Sequence, residues 1–325
     1  MKMRAAIYER YGSPEVLAVR EVERPEPREN EVRIAIGATT VTAACTMMRR
    51  GDTAMARLFL GLFRPRRRFR TLGIELCGTI DAVGARVTRF KPGDRVFGFT
   101  GFMPGACADF LCLREDASLA RAPDGLSDLE AASLVDGPTT ALYFLRDRAQ
   151  VRKGTRVAIV GASGSIGSSA VQVARHLGAT VTAVCSGRNV DLVRSLGAHD
   201  VVDYTREDFT HGPRRFDVVF DAVGKTTFHD ARRCLVEGGV FATAVGGFGA
   251  YFLDAWSRWF SRTRFVFGMS VEKRAALEEV ASMVREKALH PVIDQRYPLA
   301  EVREAHRYVE SGRKRGAVVI AVAAS

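Results

Sequence analysis

The stretch from Arg156 to Val184 constrains the fold of this chain more than any other. It opens with the apolar run Val157 to Val160 and turns through Gly161, Gly164 and Gly167. Apolar residues then recur at helical spacing (Ala170, Val171, Val173, Ala174, Leu177) before the alternating run Thr180 to Val184. The order is strand, glycine turn, helix, strand. Three glycines here serve a tight turn of positive φ, a close approach of backbone to a pyrophosphate, and tight packing of helix on strand. A glycine triplet alone is often only a packing device. Inside a complete βαβ pattern it points to a bound dinucleotide, with the N–H groups and positive dipole end of the helix facing the phosphates.

The residue ending the second strand normally chooses the nucleotide, because an acid there receives the ribose 2′-hydroxyl of NAD. This chain reads Val184, Cys185, Ser186, Gly187, Arg188, Asn189, with no acid. A 2′-phosphate suits Ser186 and Arg188 better, the guanidinium being shaped for bidentate phosphate contact. NADP is the expected cofactor. The plainer alternative is that Arg188 is a solvated arginine at a helix start.

A chain of 325 residues is long for one core and suits two domains. Its net charge of +11 and sequence pI of about 9.7 invite a nucleic-acid reading. No zinc-finger, helix-turn-helix or RNA-binding signature accompanies that charge, so no nucleic-acid partner is expected. The six cysteines form no CxxC pair and suit reduced thiols in the cytoplasm. The N-terminus lacks an apolar signal core, and no run of about eighteen apolar residues is present to span a bilayer.

Residues 1–122 carry short alternating runs, Arg4 to Tyr8, Glu31 to Ile36, Gly78 to Val83 and Arg95 to Gly98. Turn chemistry such as Gly12-Ser13-Pro14 and Lys91-Pro92-Gly93-Asp94 separates them. They predict an irregular β-barrel. Over 123–270, Ser127 is the expected N-cap of a helix from Asp128 to Leu134, and Gly137-Pro138 opens another from Thr139 to Arg148. Later strands of a parallel sheet are expected at Phe216 to Val223, Val240 to Ala244 and Arg264 to Gly268, linked by helices near Lys225 to Leu235 and Phe252 to Phe260. Residues 271–325 hold two more helices and a strand, Ala317 to Ala323, that is free to rejoin the barrel.

Five motifs in order carry a family resemblance: Tyr11-Gly12-Ser13-Pro14-Glu15-Val16-Leu17; Leu72-Gly73-Ile74-Glu75 with Gly78 and Val83-Gly84; Phe90 to Gly98; the glycine turn; and Phe220-Asp221-Ala222-Val223-Gly224. The chain resembles the medium-chain dehydrogenase/reductase superfamily, specifically its zinc-independent quinone oxidoreductase-like branch, over essentially its full length. The resemblance implies an α/β architecture: a GroES-like irregular β-barrel catalytic domain made from both chain ends, with a Rossmann doubly wound parallel sheet inserted between them. It also implies an active site in the cleft and a homodimer. The cofactor residues expected on these grounds are Thr139, Gly161, Ser163, Gly164, Ser165, Ile166, Gly167, Ser186, Arg188, Tyr204, Ala222, Val223 and Val245. Tyr204 resembles a position near the adenosine phosphate in related NADPH enzymes, though it equally suits a sheet edge. Lys314 and Arg315 stand where relatives carry basic residues near the cofactor, and plain surface charge explains them as well.

Zinc-dependent members of the superfamily place a metal histidine just before the glutamate, and here that place is Ile74. Where they supply zinc cysteines this chain has Thr42 and Asp136, and the four-cysteine lobe is absent around Phe99 to Ala108. Isoleucine offers no lone pair, so no metal site is expected. Without a Lewis acid, reduction of an electron-poor C=C or quinone is expected rather than oxidation of an alcohol. The branch usually reads V-N-x-x-D where this chain reads Val41-Thr42-Ala43-Ala44-Cys45. Thr42 and Asp136 are the two catalytic candidates. Asp136 is either an ionisable group near the nicotinamide or a helix-start residue ahead of Pro138. The six histidines show no metal spacing and are expected to be structural or solvated.

Two segments stand out: the apolar run Met55 to Phe63 followed by Arg64 to Arg70, and the aromatic run Tyr251 to Phe260. Each is expected to serve as a lid over a hydrophobic substrate or as a dimer contact, with an interfacial membrane patch as the alternative. The expected function is a cytoplasmic NADPH-dependent reductase of quinones or α,β-unsaturated carbonyl compounds, acting on a small hydrophobic substrate. The alternatives are a dinucleotide-binding protein with little catalysis and a membrane-surface adaptor.

Overall fold

Period-two patterning builds the N-terminal part of the chain. In the computed structural model, which describes residues 1–52, 54–101 and 103–323, β1 (Lys2–Ile7) pairs antiparallel with β2 (Ala18–Glu23). A second sheet takes in β3 (Glu31–Thr40), β4 (Glu75–Val83), β5 (Arg95–Phe99), β6 (Phe110–Arg114) and β7 (Ser118–Arg121), all antiparallel. Helices α1 (Ala43–Arg50) and α2 (Ala54–Leu60) follow β3, and α3 (Asp128–Ser133) follows β7. The expected cap at Ser127 is present as a full capping box, with Ser127 Oγ accepting from Glu130 N at 3.3 Å and Glu130 Oε2 accepting from Ser127 N at 2.8 Å. From α3, Asp128 accepts from Arg95 Nε at 2.7 Å and from Cys77 Sγ at 3.3 Å. These bonds hold α3 on the barrel strands. The first compact unit therefore runs to Val135 rather than ending at residue 122.

The second unit opens with α4 (Asp136–Ala141), which continues as a wide π turn over Leu142–Arg148. This helix starts three residues earlier than the Gly-Pro signal indicates, since Asp136 accepts from Thr140 Oγ1 at 3.1 Å and favours the N-terminal dipole end. Then come β8 (Arg156–Val160), α5 (Ser165–His176), β9 (Thr180–Cys185), α6 (Val190–Ser195), β10 (Asp200–Asp203), β11 (Phe216–Asp221), α7 (Phe228–Ala231), β12 (Leu235–Thr243), α8 (Phe248–Phe260) and β13 (Arg264–Phe267). The strands are all parallel, in the order β10-β9-β8-β11-β12-β13. The helix expected over 225–235 shrinks to the four residues of α7. Buried Leu235 pairs with Phe216 and so begins β12 five residues before Val240.

The tail adds α9 (Arg274–Arg285), β14 (Ile293–Pro298), α10 (Val302–Glu310) and β15 (Ala317–Ala321). β15 rejoins the first unit, pairing antiparallel with β3 across Thr40, Thr39 and Ala38. Leu17, Ile34, Leu72, Leu76, Val302 and Ile320 form the heart of that unit's core, while Val184, Val219, Phe241 and Phe265 lie in the core of the other. Residues 286–290 stay with the second unit, where Gln172 of α5 brackets His290 through His290 N at 2.8 Å and His290 O at 3.1 Å.

One polar group lies deep in the first unit. Arg49 of α1 is wholly buried; it donates to Gly12 O, to Glu310 Oε1 of α10 and, at 3.4 Å, to Nδ1 of His306. Burial, with the Arg49 charge beside it, pushes His306 down to about 3, so its ring is neutral. Unfolded, that imidazole binds a proton near its ordinary 6.5. Between these two values the unfolded state binds more protons. Stability of this unit should therefore rise with pH across that window, by up to about 1.4 kcal/mol per pH unit, and gain nothing from this group above it. Urea unfolding of the protein and of His306→Gln at mildly acid and neutral pH checks this. The substitution should flatten the acid limb, and an unchanged slope would assign acid lability to other groups.

Candidate cofactor and active site

The glycine turn lies at the C-terminal end of β8. Gly161 adopts φ 75°, and Gly164 N closes the turn on Gly161 O at 3.0 Å. A Cβ on Gly167 would come within 2.1 Å of Gly161 O, so helix α5 touches the turn backbone directly. A Cβ on Gly161 would strike Val223, which follows β11. The N-cap of α5 is Gly164, which has no side chain to cap the helix. The N–H groups of Ser165, Ile166 and Gly167 therefore have no acceptor within the helix, which is the arrangement that receives an anion.

The strand order reverses between β8 and β11, and the loops leaving their C-terminal ends part at that point. Ala222 N donates to Val160 O at 3.1 Å, which sets Ala222 beside the turn. Asp221, fully buried, accepts from Val223 N and Gly224 N at 2.8 Å and from Thr226 N at 2.6 Å, fixing the loop after β11. Val245 follows β12 half-exposed, its N–H held by Thr243 Oγ1 at 3.1 Å. After β9, Ser186 is half-buried and Arg188 exposed. Tyr204, at 62% exposure, follows β10 and donates its N–H to Cys185 O at 3.1 Å. Thr139 is buried in α4, its hydroxyl donating to Asp136 O at 3.2 Å. The expected cofactor residues other than Thr139 thus line one edge of one sheet, at the C-terminal ends of five adjacent strands.

Two side chains that the sequence left without a role shape this edge. Asn189 is buried and donates through Nδ2 to Ser163 Oγ at 2.8 Å and to Ser186 Oγ at 3.2 Å, joining the glycine turn to the loop after β9. Its Oδ1 is buried without a hydrogen-bond partner, an acceptor left open in the wall of the turn. Asp203, at the end of β10, presses its carboxylate against Gly187, where a Cβ would meet Oδ2 at 2.5 Å. The N–H and hydroxyl of Thr205 hold that carboxyl below the usual range. The second strand carries no acid of its own, and its neighbour brings one to the same loop. Only strand pairing puts the two together, through Asp203 opposite Cys185.

The two catalytic candidates fall in different units. Thr42, in the first, is the N-cap of α1, its Oγ1 accepting from Cys45 N at 3.3 Å and lying 3.4 Å from Cys45 Sγ. Burial raises the Cys45 thiol, which leaves it protonated and a poor nucleophile. Asp136, in the second, is the first residue of α4 and accepts from Thr140, the helix-start role. Ile74 is buried, and Glu75 beside it accepts from the Thr40 hydroxyl while its backbone O accepts from Thr39 Oγ1 at 2.6 Å. That glutamate braces β3 against β4. Among the described residues no group of three or more His, Cys, Asp or Glu gathers as a metal site.

Comparison with known proteins places these features in context. Residues 28–129 match the family described as alcohol dehydrogenase GroES-like domain, and residues 196–320 match the one described as zinc-binding dehydrogenase. The quinone oxidoreductase of Pseudomonas aeruginosa is 31% identical over 327 residues, covering 95% of this chain and 97% of that one. The 2-methylene-furan-3-one reductase of Solanum lycopersicum is 30% identical over 98% of this chain and 79% of its own length. In structure, the quinone oxidoreductase from Coxiella burnetii superposes with a TM-score of 0.89 at 28% identity, covering 99% of this chain and all of that one.

Proposed function

The chain belongs to the medium-chain dehydrogenase/reductase superfamily, in its quinone oxidoreductase-like branch, and from that premise we propose that it reduces quinones or α,β-unsaturated carbonyl compounds with NADPH and without zinc. It is an oxidoreductase that uses a nicotinamide cofactor. The observation that carries the proposal is the turn after β8, where Gly167 leaves no room for a Cβ and Gly164 leaves the first turn of α5 uncapped. Both fit a pyrophosphate. Asn189 Oδ1 supplies an open acceptor next to Ser163 and Ser186, suited to a ribose hydroxyl. Ser186 and exposed Arg188 support the choice of the 2′-phosphate form.

When bound, the nicotinamide supplies a hydride. The glycine turn would hold the cofactor's pyrophosphate, and the loops after β11 and β12 would orient the nicotinamide, Val223 and Val245 offering it apolar surface. We assign proton delivery to solvent, since the Thr42 hydroxyl is engaged by Cys45 and the Cys45 thiol is buried. That engagement also favours a second reading, a dinucleotide-binding protein with little turnover. Steady-state oxidation of NADPH with a panel of hydrophobic quinones and enones separates the two. Cofactor binding without turnover across the panel would leave the binding reading standing.

The zinc implied by the second family's description does not fit these residues. Ile74 has no lone pair, Thr42 is a helix cap, and Glu75 is tied to Thr40. Purified protein is expected to hold no stoichiometric zinc by elemental analysis and to keep its activity in chelator. A zinc content of one per chain would overturn this. The six cysteines are all unpaired, which supports a reducing compartment such as the cytoplasm, and the family resemblance supports a homodimer.

A further inference from the structure

Helix α8 is built inside out. Its most deeply buried positions are polar, Asp254 at 5% and Ser257 at 0% exposed, with Ala250 and Leu253 packing beside them against the core. Ser257 Oγ accepts from Phe265 N at 2.8 Å and lies 3.3 Å from Phe265 O, and Asp254 Oδ2 accepts from Phe267 N at 3.2 Å. Those backbone groups belong to β13, the last strand on that side of the parallel sheet. The helix thus closes the free edge of the sheet with its own polar side chains. Asp254 also accepts from Arg148 Nη2 at 2.6 Å and Arg258 Nε at 2.9 Å, so its charge is fully engaged.

Exposed Phe252, Ala255, Trp256, Trp259 and Phe260 share one helical face, bordered by Tyr251, whose ring meets Phe267 edge-on at 4.8 Å, and by exposed Arg258. Phe252 is 77%, Trp259 84% and Phe260 74% exposed. A surface helix ordinarily shows the opposite polarity, and an exposed aromatic stripe marks a surface awaiting an apolar phase.

We propose that this face docks on an anionic lipid surface. Tryptophan and tyrosine are the residues favoured at a lipid–water boundary. Around the stripe stand Arg148, Arg258, Arg262 and Arg264 against two carboxylates, Asp254, which is buried between Arg148 and Arg258, and Glu237, 3.8 Å from Arg262, so the rim keeps a positive excess within a chain of net +11. That charge complements an anionic headgroup layer. A second copy fits less well. Strand addition at this edge is already blocked by Ser257 and Asp254. Among the described residues no helix is long and apolar enough to cross a membrane, so the contact is one of lying on the surface.

The chain's only two tryptophans, Trp256 and Trp259, both stand on this face, so intrinsic emission reads it alone. The whole protein is titrated with vesicles of phosphatidylcholine and phosphatidylglycerol, and with phosphatidylcholine alone. Emission should shift to the blue on the anionic vesicles, be quenched by brominated acyl chains, and revert as salt rises. The triple variant Phe252→Ser, Trp259→Ser, Phe260→Ser keeps Trp256 as reporter and should bind vesicles about tenfold or more weakly. Arg262→Glu, at a fully surface position, tests the charge without touching the packing and should weaken anionic binding alone. Emission unmoved by anionic vesicles, with no co-sedimentation, overturns the proposal. So does a face already dry in free protein whose dimer the triple variant breaks, or emission quenched by a hydrophobic quinone without vesicles, which would make α8 a substrate lid.

Discussion

Replacing Arg188 by alanine is expected to weaken NADPH binding roughly ten- to a hundredfold and to leave NADH almost unchanged, since a charge-assisted contact contributes on the order of 1.5–3 kcal/mol. Arg188 is exposed at the loop after β9, beside Ser186, and the phosphate it would meet exists only on NADPH. The loss should shrink as salt rises, because an exposed contact is screened. Calorimetric titration with both cofactors is the suitable measurement, as both tryptophans lie on α8 and not at this loop. Asp203 sharpens the test. Its carboxyl, held ionised by Thr205, abuts Gly187, and an anion there opposes a phosphate. Equal affinities for the two cofactors, or equal losses on mutation, would show that Arg188 makes no contact specific to the 2′-phosphate.

Arg49→Ala is expected to cost about 2–4 kcal/mol of stability in the first unit, since it removes the fully buried partner of a part-buried ion pair and its packing. Glu310 keeps only Arg50, at 3.5 Å, Gly12 O loses a donor, and His306 loses the bond to Nδ1. A cavity adds to the loss. Arg49→Met should lose less, because it fills most of the space. Urea unfolding followed by circular dichroism measures both, and a loss below about 1 kcal/mol for the alanine variant would mean the site collapses or fills with water. The consequence reaches the site through α1, whose last turn Arg49 pins to α10 and whose first turn is capped by Thr42. Turnover should therefore fall in step with the folded fraction.

Much of this architecture was legible from local pattern. The turn at Gly161, Gly164 and Gly167 signals its own geometry, because positive φ and absent Cβ space are properties of the residues themselves. Ser127 with Glu130 writes its capping box into four consecutive residues. The return of the last strand was also readable, from an apolar run that needed a partner, and β3 supplied it. Less legible were the short α7 and the early start of β12, since pairing of Leu235 with Phe216 outweighs what the intervening residues prefer. The end of the first unit at Val135 depended likewise on Asp128 reaching Arg95 and Cys77, far away in the chain.

The sequence by itself determined what rests on neighbours along the chain: the βαβ turn, the absence of an acid ending β9, an isoleucine rather than a histidine before Glu75, and the aromatic density of 251–260. Only the tertiary structure decided what rests on neighbours in space. It brought Asp203 to Gly187 across a strand pair, placed Asn189 between Ser163 and Ser186, committed the Thr42 hydroxyl to Cys45, and turned the aromatic side of α8 outward. The last case shows the reason most clearly. By hydrophobicity alone the aromatic stripe belongs inside, but the unpaired N–H groups of Phe265 and Phe267 at the sheet edge need acceptors, and Ser257 and Asp254 on the opposite face supply them. Each buried N–H without an acceptor costs about 1–3 kcal/mol, and Ser257 and Asp254 satisfy two of them at once while Leu253 packs beside them, so the helix turns this side to the sheet.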